Sequence, residues 1–141
     1  MSFLLDTNVI SELVAPKPNQ NVTRWLEEMD QESIFLSVIT IGELKRGIDK
    51  LLDSKRKKTL SEWLTGDLLI RFGDQVLPID VSVILTWGTL VASMEANGKP
   101  IPAIDSLLAA TAKQFGLTFV TRNTRHFMGT GISLFNPWEP D

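Results

Sequence analysis

Several kinds of site are excluded by residues that this sequence lacks. The chain contains no cysteine, so disulfides, zinc thiolates and a cysteine nucleophile are all excluded. It has one histidine, His126, and no tyrosine, so its chemistry must rest mainly on carboxylates, hydroxyls or a bound metal. The net charge of −3 gives no global basic footprint for nucleic acid, although a local basic rim around a cleft would still serve.

Long hydrophobic runs are also absent. The N-terminal apolar run is short and follows no basic stretch, which predicts neither a signal peptide nor a membrane-spanning segment. We therefore expect a cytoplasmic protein. The hydrophobic fraction of 43% and the charged fraction of 22% are ordinary for a globular protein, and 141 residues suit one domain over 1–141.

Short apolar runs alternate with helical patterns along the whole chain. This alternation predicts a three-layer α/β/α fold with a mostly parallel sheet of four to five strands, covered on both faces. The predicted strands cover residues 3–5, 33–38, 75–79, 117–120 and 132–135, and the predicted helices cover 7–14, 19–29, 40–52, 54–70, 80–96 and 102–116.

Three acidic residues fall at equivalent places in this pattern, near the starts of helices. Asp6 follows the first strand, Glu43 lies in the helix after the second, and Asp105 lies in the helix before the fourth. In a doubly wound sheet such positions gather along one edge. Ionised carboxylates held together need a cation, and hard oxygen ligands favour Mg²⁺ or Mn²⁺, which indicates phosphodiester hydrolysis.

A purely structural interpretation exists for each acid. Acidic side chains are preferred at helix N-termini, where they accept hydrogen bonds from free N–H groups. Asp6 would then be an N-cap, and Glu43 would be the second half of a capping box that begins at Thr40. Asp105 would serve only as a partner of the helix dipole.

Four segments in order match a known family. Residues 4–10 (LLDTNVI) match its opening hydrophobic-D-T-N, and residues 37–47 (SVITIGELKRG) match its S-x-x-T-x-x-E-L-x-x-G. Residues 104–112 (IDSLLAATA) match its D-x-x-I-A-A-x-A helix, and 117–123 (LTFVTRN) match its last strand and T-R-N turn. The chain therefore resembles the PIN-domain ribonucleases, and specifically the VapC-type toxins of toxin–antitoxin pairs.

This resemblance implies a PIN fold in which Asp6, Glu43 and Asp105 bind one or two Mg²⁺ or Mn²⁺ ions. It implies an endoribonuclease that hydrolyses RNA with metal-activated water and that a small cognate antitoxin inhibits. It also implies a homodimer that pairs again in the antitoxin complex. The alternative is a catalytically impaired PIN domain that mainly binds its antitoxin.

The last motif departs from the family pattern at two positions. Asn123 stands where some relatives carry Asp, and His126 stands where close relatives often carry Asp or Glu. Asn123 is retained as a catalytic candidate because its amide can offer an oxygen or orient a water. His126 is a candidate phosphate contact or an exposed side chain without a role.

Other residues near these acids have supporting roles in this hypothesis. Thr7, Asn8 and Thr40 are candidates for orienting the carboxylates or a bound water. The cations close to the acids in sequence are candidates for binding RNA phosphates: Arg122, Arg46 and Lys45.

Two rival classes fit the residues less well. A phosphatase with Asp6 as covalent nucleophile generally needs a second Asp two positions later, where this chain has Asn8. A receiver-like signalling domain would need paired acids after the first strand and a Lys near the last, and residues 121–123 (TRN) supply no Lys.

Overall fold

A parallel sheet forms the centre of the molecule. The computed structural model describes residues 1–140, so the predicted domain limit at residue 141 lies outside the described residues. Within 1–140 the sheet has five strands in the order β3-β2-β1-β4-β5, and every pairing is parallel. The strands are β1 Phe3–Leu5, β2 Ile34–Ser37, β3 Val76–Leu77, β4 Thr118–Val120 and β5 Leu134–Phe135.

Helices connect these strands and cover both faces of the sheet. Five short helices follow β1 and β2, and two longer ones separate β3 from β4 in the described part of the chain. The helices are α1 Thr7–Glu12, α2 Gln20–Glu28, α3 Val38–Asp49, α4 Lys55–Trp63, α5 Leu69–Phe72, α6 Val81–Ala96 and α7 Ala103–Phe115.

The two faces of the sheet bury separate hydrophobic clusters. Successive side chains of a strand point to opposite faces, so Leu4 and Leu5, both fully buried, belong to different clusters. Leu5 packs with residues of α1 to α5, whereas Leu4 packs with residues of α6 and α7. Each buried leucine contributes about 1.5–3 kcal/mol to stability. The predicted three-layer α/β/α architecture is confirmed.

Two details of the predicted helices are wrong. The single helix predicted over 54–70 is interrupted by a π-helical turn at Leu64–Leu68. The predicted cap at Thr40 is also wrong, because α3 begins at Val38 and its N-cap is Ser37, whose Oγ accepts from the N–H of Ile39 at 3.0 Å. Among residues 1–140, no helix combines the length and the apolar character needed to cross a bilayer.

Candidate metal-dependent active site

Asp6 lies at the carboxyl end of the central strand. Its N–H donates to the carbonyl of Val120 at 2.9 Å, which continues the pairing of β1 with β4 one residue past the strand. Its Oδ1 accepts from the N–H of Thr7 at 2.7 Å as the N-cap of α1. The sheet order changes direction at β1, and ligands of open α/β sheets bind at such a point. The predicted cap role is confirmed, and the position leaves Asp6 available for chemistry.

A hydroxyl from the far end of the chain holds the second oxygen of this carboxylate. Thr121 Oγ1 donates to Asp6 Oδ2 at 2.7 Å, across 115 positions of sequence, and both side chains are buried. The same Oγ1 accepts from the N–H of Asn123 at 3.0 Å. Sequence reasoning did not single out Thr121, although it stands in the T-R-N segment. This residue fixes the turn after β4 to Asp6.

Asn8 makes a second link between Asp6 and this turn. Its Nδ2 lies 3.3 Å from Asp6 Oδ2 and 3.4 Å from Thr121 Oγ1. Its Oδ1 accepts from the N–H of Arg122 at 3.4 Å. The structure therefore places Asn8 beside Asp6, where the sequence predicted an orienting side chain.

Thr7 fixes the second acid. Its Oγ1 donates to Glu43 Oε1 at 2.5 Å and lies 3.3 Å from Thr40 Oγ1. Thr40 is fully buried, three residues into α3, so it faces Thr7 and does not cap the helix. Glu43 is consequently free of the predicted capping box, and its carboxylate is directed towards the start of α1.

The third acid lies in the first turn of α7 and is partly exposed. Asp105 Oδ2 lies 3.7 Å from His126 Nδ1, in the 3₁₀ turn Thr124–Phe127. Asn123 precedes this turn, and its side chain is exposed. The structure therefore brings Asp105 and His126 together and leaves the Asn123 amide open to solvent.

The three acids influence one another electrostatically. The pKa of Asp6 is raised mainly by burial, and the nearby charges of Glu43 and Asp105 raise it further against the lowering effect of the Thr121 and Thr7 hydrogen bonds. Burial also raises the pKa of Asp105, while His126 opposes this. These carboxylates are close enough to repel, which favours a cation between them.

The donor chemistry fits a hard divalent cation. Within residues 1–140 no three acidic or histidine side chains are close enough together to enclose a metal ion by themselves. Mg²⁺ does not require such a cage, because it usually keeps several waters and takes one or two carboxylates together with substrate phosphates. Asp6, Glu43 and Asp105 thus suit Mg²⁺ or Mn²⁺ completed by water and substrate.

The raised pKa of Asp6 predicts how its replacement changes stability with pH. The folded state binds the Asp6 proton more tightly than the unfolded state, so this group favours folding at low pH. That contribution is lost as pH rises from 3.8 through the folded pKa. Without divalent ions, Asp6→Asn should therefore gain stability relative to wild type between about pH 4 and pH 7, measured by urea unfolding.

Asp80 provides a control of opposite sign. It is the N-cap of α6, and hydrogen bonds from Ser82 and Val83 lower its pKa, so it stabilises the fold above pH 3.8 and loses this effect as pH falls. Asp80→Asn should lose relative stability as pH rises towards 3.8 and should change little from about pH 4 to pH 7. A shift of the same sign for both variants would contradict this assignment.

The predicted RNA-binding cations differ in their surroundings. Lys45 Nζ lies 2.8 Å from Asp49 Oδ1 along the exposed face of α3, where Arg46 is also exposed. The Arg122 guanidinium lies 5.4 Å from the ring centroid of Trp138. Arg122 is thus held beside the turn that carries Asn123, while Lys45 is engaged with a neighbour.

The family model for the PIN domain matches residues 3–128. This chain belongs to the PIN-domain family. The match covers Asp6, Glu43 and Asp105, and it confirms the fold that the four motifs predicted.

Two named relatives of this PIN domain are a toxin and a ribonuclease. It is 42% identical to Toxin FitB of Neisseria gonorrhoeae, over 96% of this chain and 98% of that protein. It is 36% identical to VapC ribonuclease Y4jK of Sinorhizobium fredii, over 98% of this chain and 99% of that protein. The predicted resemblance to VapC-type toxins is confirmed.

Solved structures also resemble this PIN domain along its length. FitAB bound to an IR36 DNA fragment matches with a TM-score of 0.94 and 39% identity, over 99% of this chain and 97% of that chain. A toxin–antitoxin complex from Klebsiella pneumoniae matches with a TM-score of 0.71 and 25% identity, over 96% and 98% of the two chains.

Proposed function

We propose that this PIN domain is a metal-dependent endoribonuclease that acts in the cytoplasm as the toxin of a toxin–antitoxin pair, with 1–141 as one domain. The principal support is the gathering of Asp6, Glu43 and Asp105 at one edge of the sheet. The pKa of Asp6 is raised mainly by burial, and the charges of Glu43 and Asp105 add to this rise. Two relatives, one named a toxin and the other a VapC ribonuclease, match this chain along nearly their whole length and support the same function.

In this proposal Asp6, Glu43 and Asp105 would hold Mg²⁺ or Mn²⁺. When bound, such an ion would supply positive charge that favours hydrolysis of a phosphodiester. Thr7 keeps the Glu43 carboxylate oriented, with Thr40 behind it, and Asn8 supports Asp6.

The RNA strand is bound by residues around these acids. Asn123 offers its exposed amide to the scissile phosphate or to the attacking water. Arg122 contacts a neighbouring phosphate, and Arg46 and Lys45 extend the contact along α3. Ion pairing of Lys45 with Asp49 makes its contribution the smallest of the three.

We also propose a small antitoxin as protein partner and a homodimer that pairs again in the complex with it. The solved toxin–antitoxin complex of similar fold supports the partner. A cavity of about 270 Å³ lies beside Thr7 and Glu43, with Leu44, Leu60 and Trp63 among its apolar lining. A partner segment seated there would reach the acids, which would explain inhibition.

The second candidate function is a catalytically impaired PIN domain that acts by binding its antitoxin. Two observations favour it: a neutral amide stands at Asn123, and no three acids in the described chain enclose a metal ion unaided. RNA binding and partner binding would survive in such a protein, whereas hydrolysis would not.

Cleavage of a mixed RNA pool by the purified, antitoxin-free protein separates the two functions. We expect cutting with Mg²⁺ or Mn²⁺ and none with a chelator, because the carboxylates need a cation to act on phosphate. The cut positions would also give the RNA target. If neither Mg²⁺ nor Mn²⁺ supports cutting, the impaired PIN domain is favoured. Cutting that persists in chelator would contradict the metal-dependent mechanism.

A further inference from the structure

A second concave surface adjoins the acids on the side of Asp105. A cavity of about 460 Å³ lies between the end of α6, the residues before α7 and the 3₁₀ turn Thr124–Phe127. Met94 and Met128 give it apolar walls, and Lys99, Arg125 and His126 bring polar groups to the same lining. This volume lies within the range of about 300–1,000 Å³ that is usual for ligand sites.

The wall that carries Lys99 is fixed by its local backbone. The Gly98 N–H donates to the carbonyl of Glu95 at 3.0 Å and the Lys99 N–H to that of Met94 at 2.9 Å. With Gly98 at a φ of +69°, these two bonds form a Schellman motif at the end of α6. The position of Lys99 beside the cavity is therefore set by the helix end.

The opposite wall is anchored in the core. Phe127 is buried at the end of the 3₁₀ turn, with its ring centroid 4.7 Å from that of Phe119 in β4. Gly129 follows at a φ of +89°, and a methyl group there would lie 3.7 Å from Met94 Cε and 3.8 Å from Lys99 Cδ. Gly129, two residues after the turn, thus lies close to Met94 and Lys99 of the other wall.

A second cavity adjoins the first at the 3₁₀ turn Thr124–Phe127. This cavity of about 280 Å³ shares Arg125 and His126 with the first and is also lined by Arg122 and Glu139. His126 Nδ1 lies 3.7 Å from Asp105 Oδ2, so the shared residues are also those next to the third acid. Four cationic or imidazole side chains therefore line the two cavities, in a protein whose net charge is −3: Lys99, Arg122, Arg125 and His126.

We propose that the cavity between Lys99 and Arg125 binds one nucleotide of the RNA strand beside the cleaved phosphodiester. A free phosphate would not need the methionine walls, and a purely apolar ligand would not need the cations. A nucleotide satisfies both, because its phosphate pairs with Lys99 and Arg125 while its base lies against polarizable thioethers and the guanidinium plane. The inference rests on the proposed ribonuclease function and adds a subsite to it.

Binding of RNA by the Asp6→Asn variant tests this subsite without cleavage. Fluorescence anisotropy of a labelled single-stranded RNA is measured over a range of salt concentrations, with Lys99→Ala or Arg125→Gln added. Each change should raise Kd by about three- to tenfold and reduce the slope of log K against log salt by about 0.7. Met128→Gln should raise Kd without changing the slope, because Met128 carries no charge.

Lys113→Ala and Arg24→Gln are matched controls, because both side chains are exposed and lie outside these two cavities. Unchanged Kd and slope in Lys99→Ala and Arg125→Gln, or equal losses in the controls, would overturn the subsite. No RNA binding by the Asp6→Asn chain would overturn it as well. Losses of RNA affinity confined to Lys99→Ala and Arg125→Gln support the subsite as an RNA-binding site, even if the wild-type chain does not cleave RNA. Failure of the wild-type chain to cleave would overturn only the ribonuclease function.

Discussion

Asp6→Asn is expected to reduce RNA cleavage by about 10²–10³-fold or more, the range for loss of one pre-organised electrostatic group. Asparagine nearly matches aspartate in shape. Its single carbonyl oxygen can still accept from the N–H of Thr7, while its amide group takes the place of the oxygen that accepts from Thr121 Oγ1. It lacks the charge that a divalent ion requires. Because burial makes the Asp6 charge costly in the fold, the variant should be at least as stable as wild type at neutral pH.

The measurement pairs initial cleavage rates in Mg²⁺ with thermal unfolding of the same samples. Asp80→Asn is the matched control, because Asp80 is also an N-cap aspartate but is exposed at the start of α6. It should keep the wild-type rate. Mg²⁺ at about ten times its Kd should stabilise the wild type by about 1.4 kcal/mol and Asp6→Asn much less. A fully active, folded Asp6→Asn protein would remove Asp6 from the mechanism.

Thr7→Val is expected to lower activity by about 10–100-fold, the usual cost of losing a group that orients a metal ligand. Valine keeps the shape of threonine but cannot donate to Glu43 Oε1, which Thr7 Oγ1 reaches at 2.5 Å. The carboxylate is then free to adopt other rotamers, so the Mg²⁺ concentration for half-maximal cleavage should rise. The loss of one hydrogen bond should cost about 1 kcal/mol of stability.

Two companion variants separate orientation from simple destabilisation. Thr7→Ser restores the hydroxyl and should recover most of the Mg²⁺ affinity. Thr89→Val removes a threonine hydroxyl on α6 that donates to the carbonyl of Leu85 at 3.3 Å, and it should leave cleavage unchanged. If Thr7→Val and Thr7→Ser require the same Mg²⁺ concentration as wild type, Thr7 does not orient Glu43 for metal binding.

Most of the fold could be predicted because it depends on local patterns. Apolar runs ending in polar residues identify buried strands, and their alternation with helices requires a parallel sheet covered on both faces. The same topology predicted that Asp6, Glu43 and Asp105 lie near one another. No distance was needed for that inference, since parallel strands end at one edge.

The contact of Thr121 with Asp6 could not be predicted, because it joins distant segments. The hydroxyl of Thr121 is brought within hydrogen-bond distance of Asp6 only by the pairing of β1 with β4. Which of Ser37 and Thr40 caps α3 also depends on tertiary contacts. Both residue types can cap a helix, and the burial of Thr40 against Thr7 leaves the cap to Ser37.

The spacing of apolar residues gives a physical cause for the π turn. Leu60, Leu64, Leu68 and Phe72 lie four residues apart, and the last three are almost fully buried. An α-helix has 3.6 residues per turn, so such a series drifts by about 40° at each step. The wider π turn at Leu64–Leu68 takes up this drift and keeps the series facing the core.

The central position of β1 makes the assembly of the acids depend on segments more than one hundred residues apart. β1 has β4 as its second neighbour, and Asp6 accepts a hydrogen bond from the hydroxyl of Thr121. A chain truncated between Asp105 and Leu117 contains all three acids but lacks both β4 and Thr121. We therefore expect such a truncated chain not to cleave RNA.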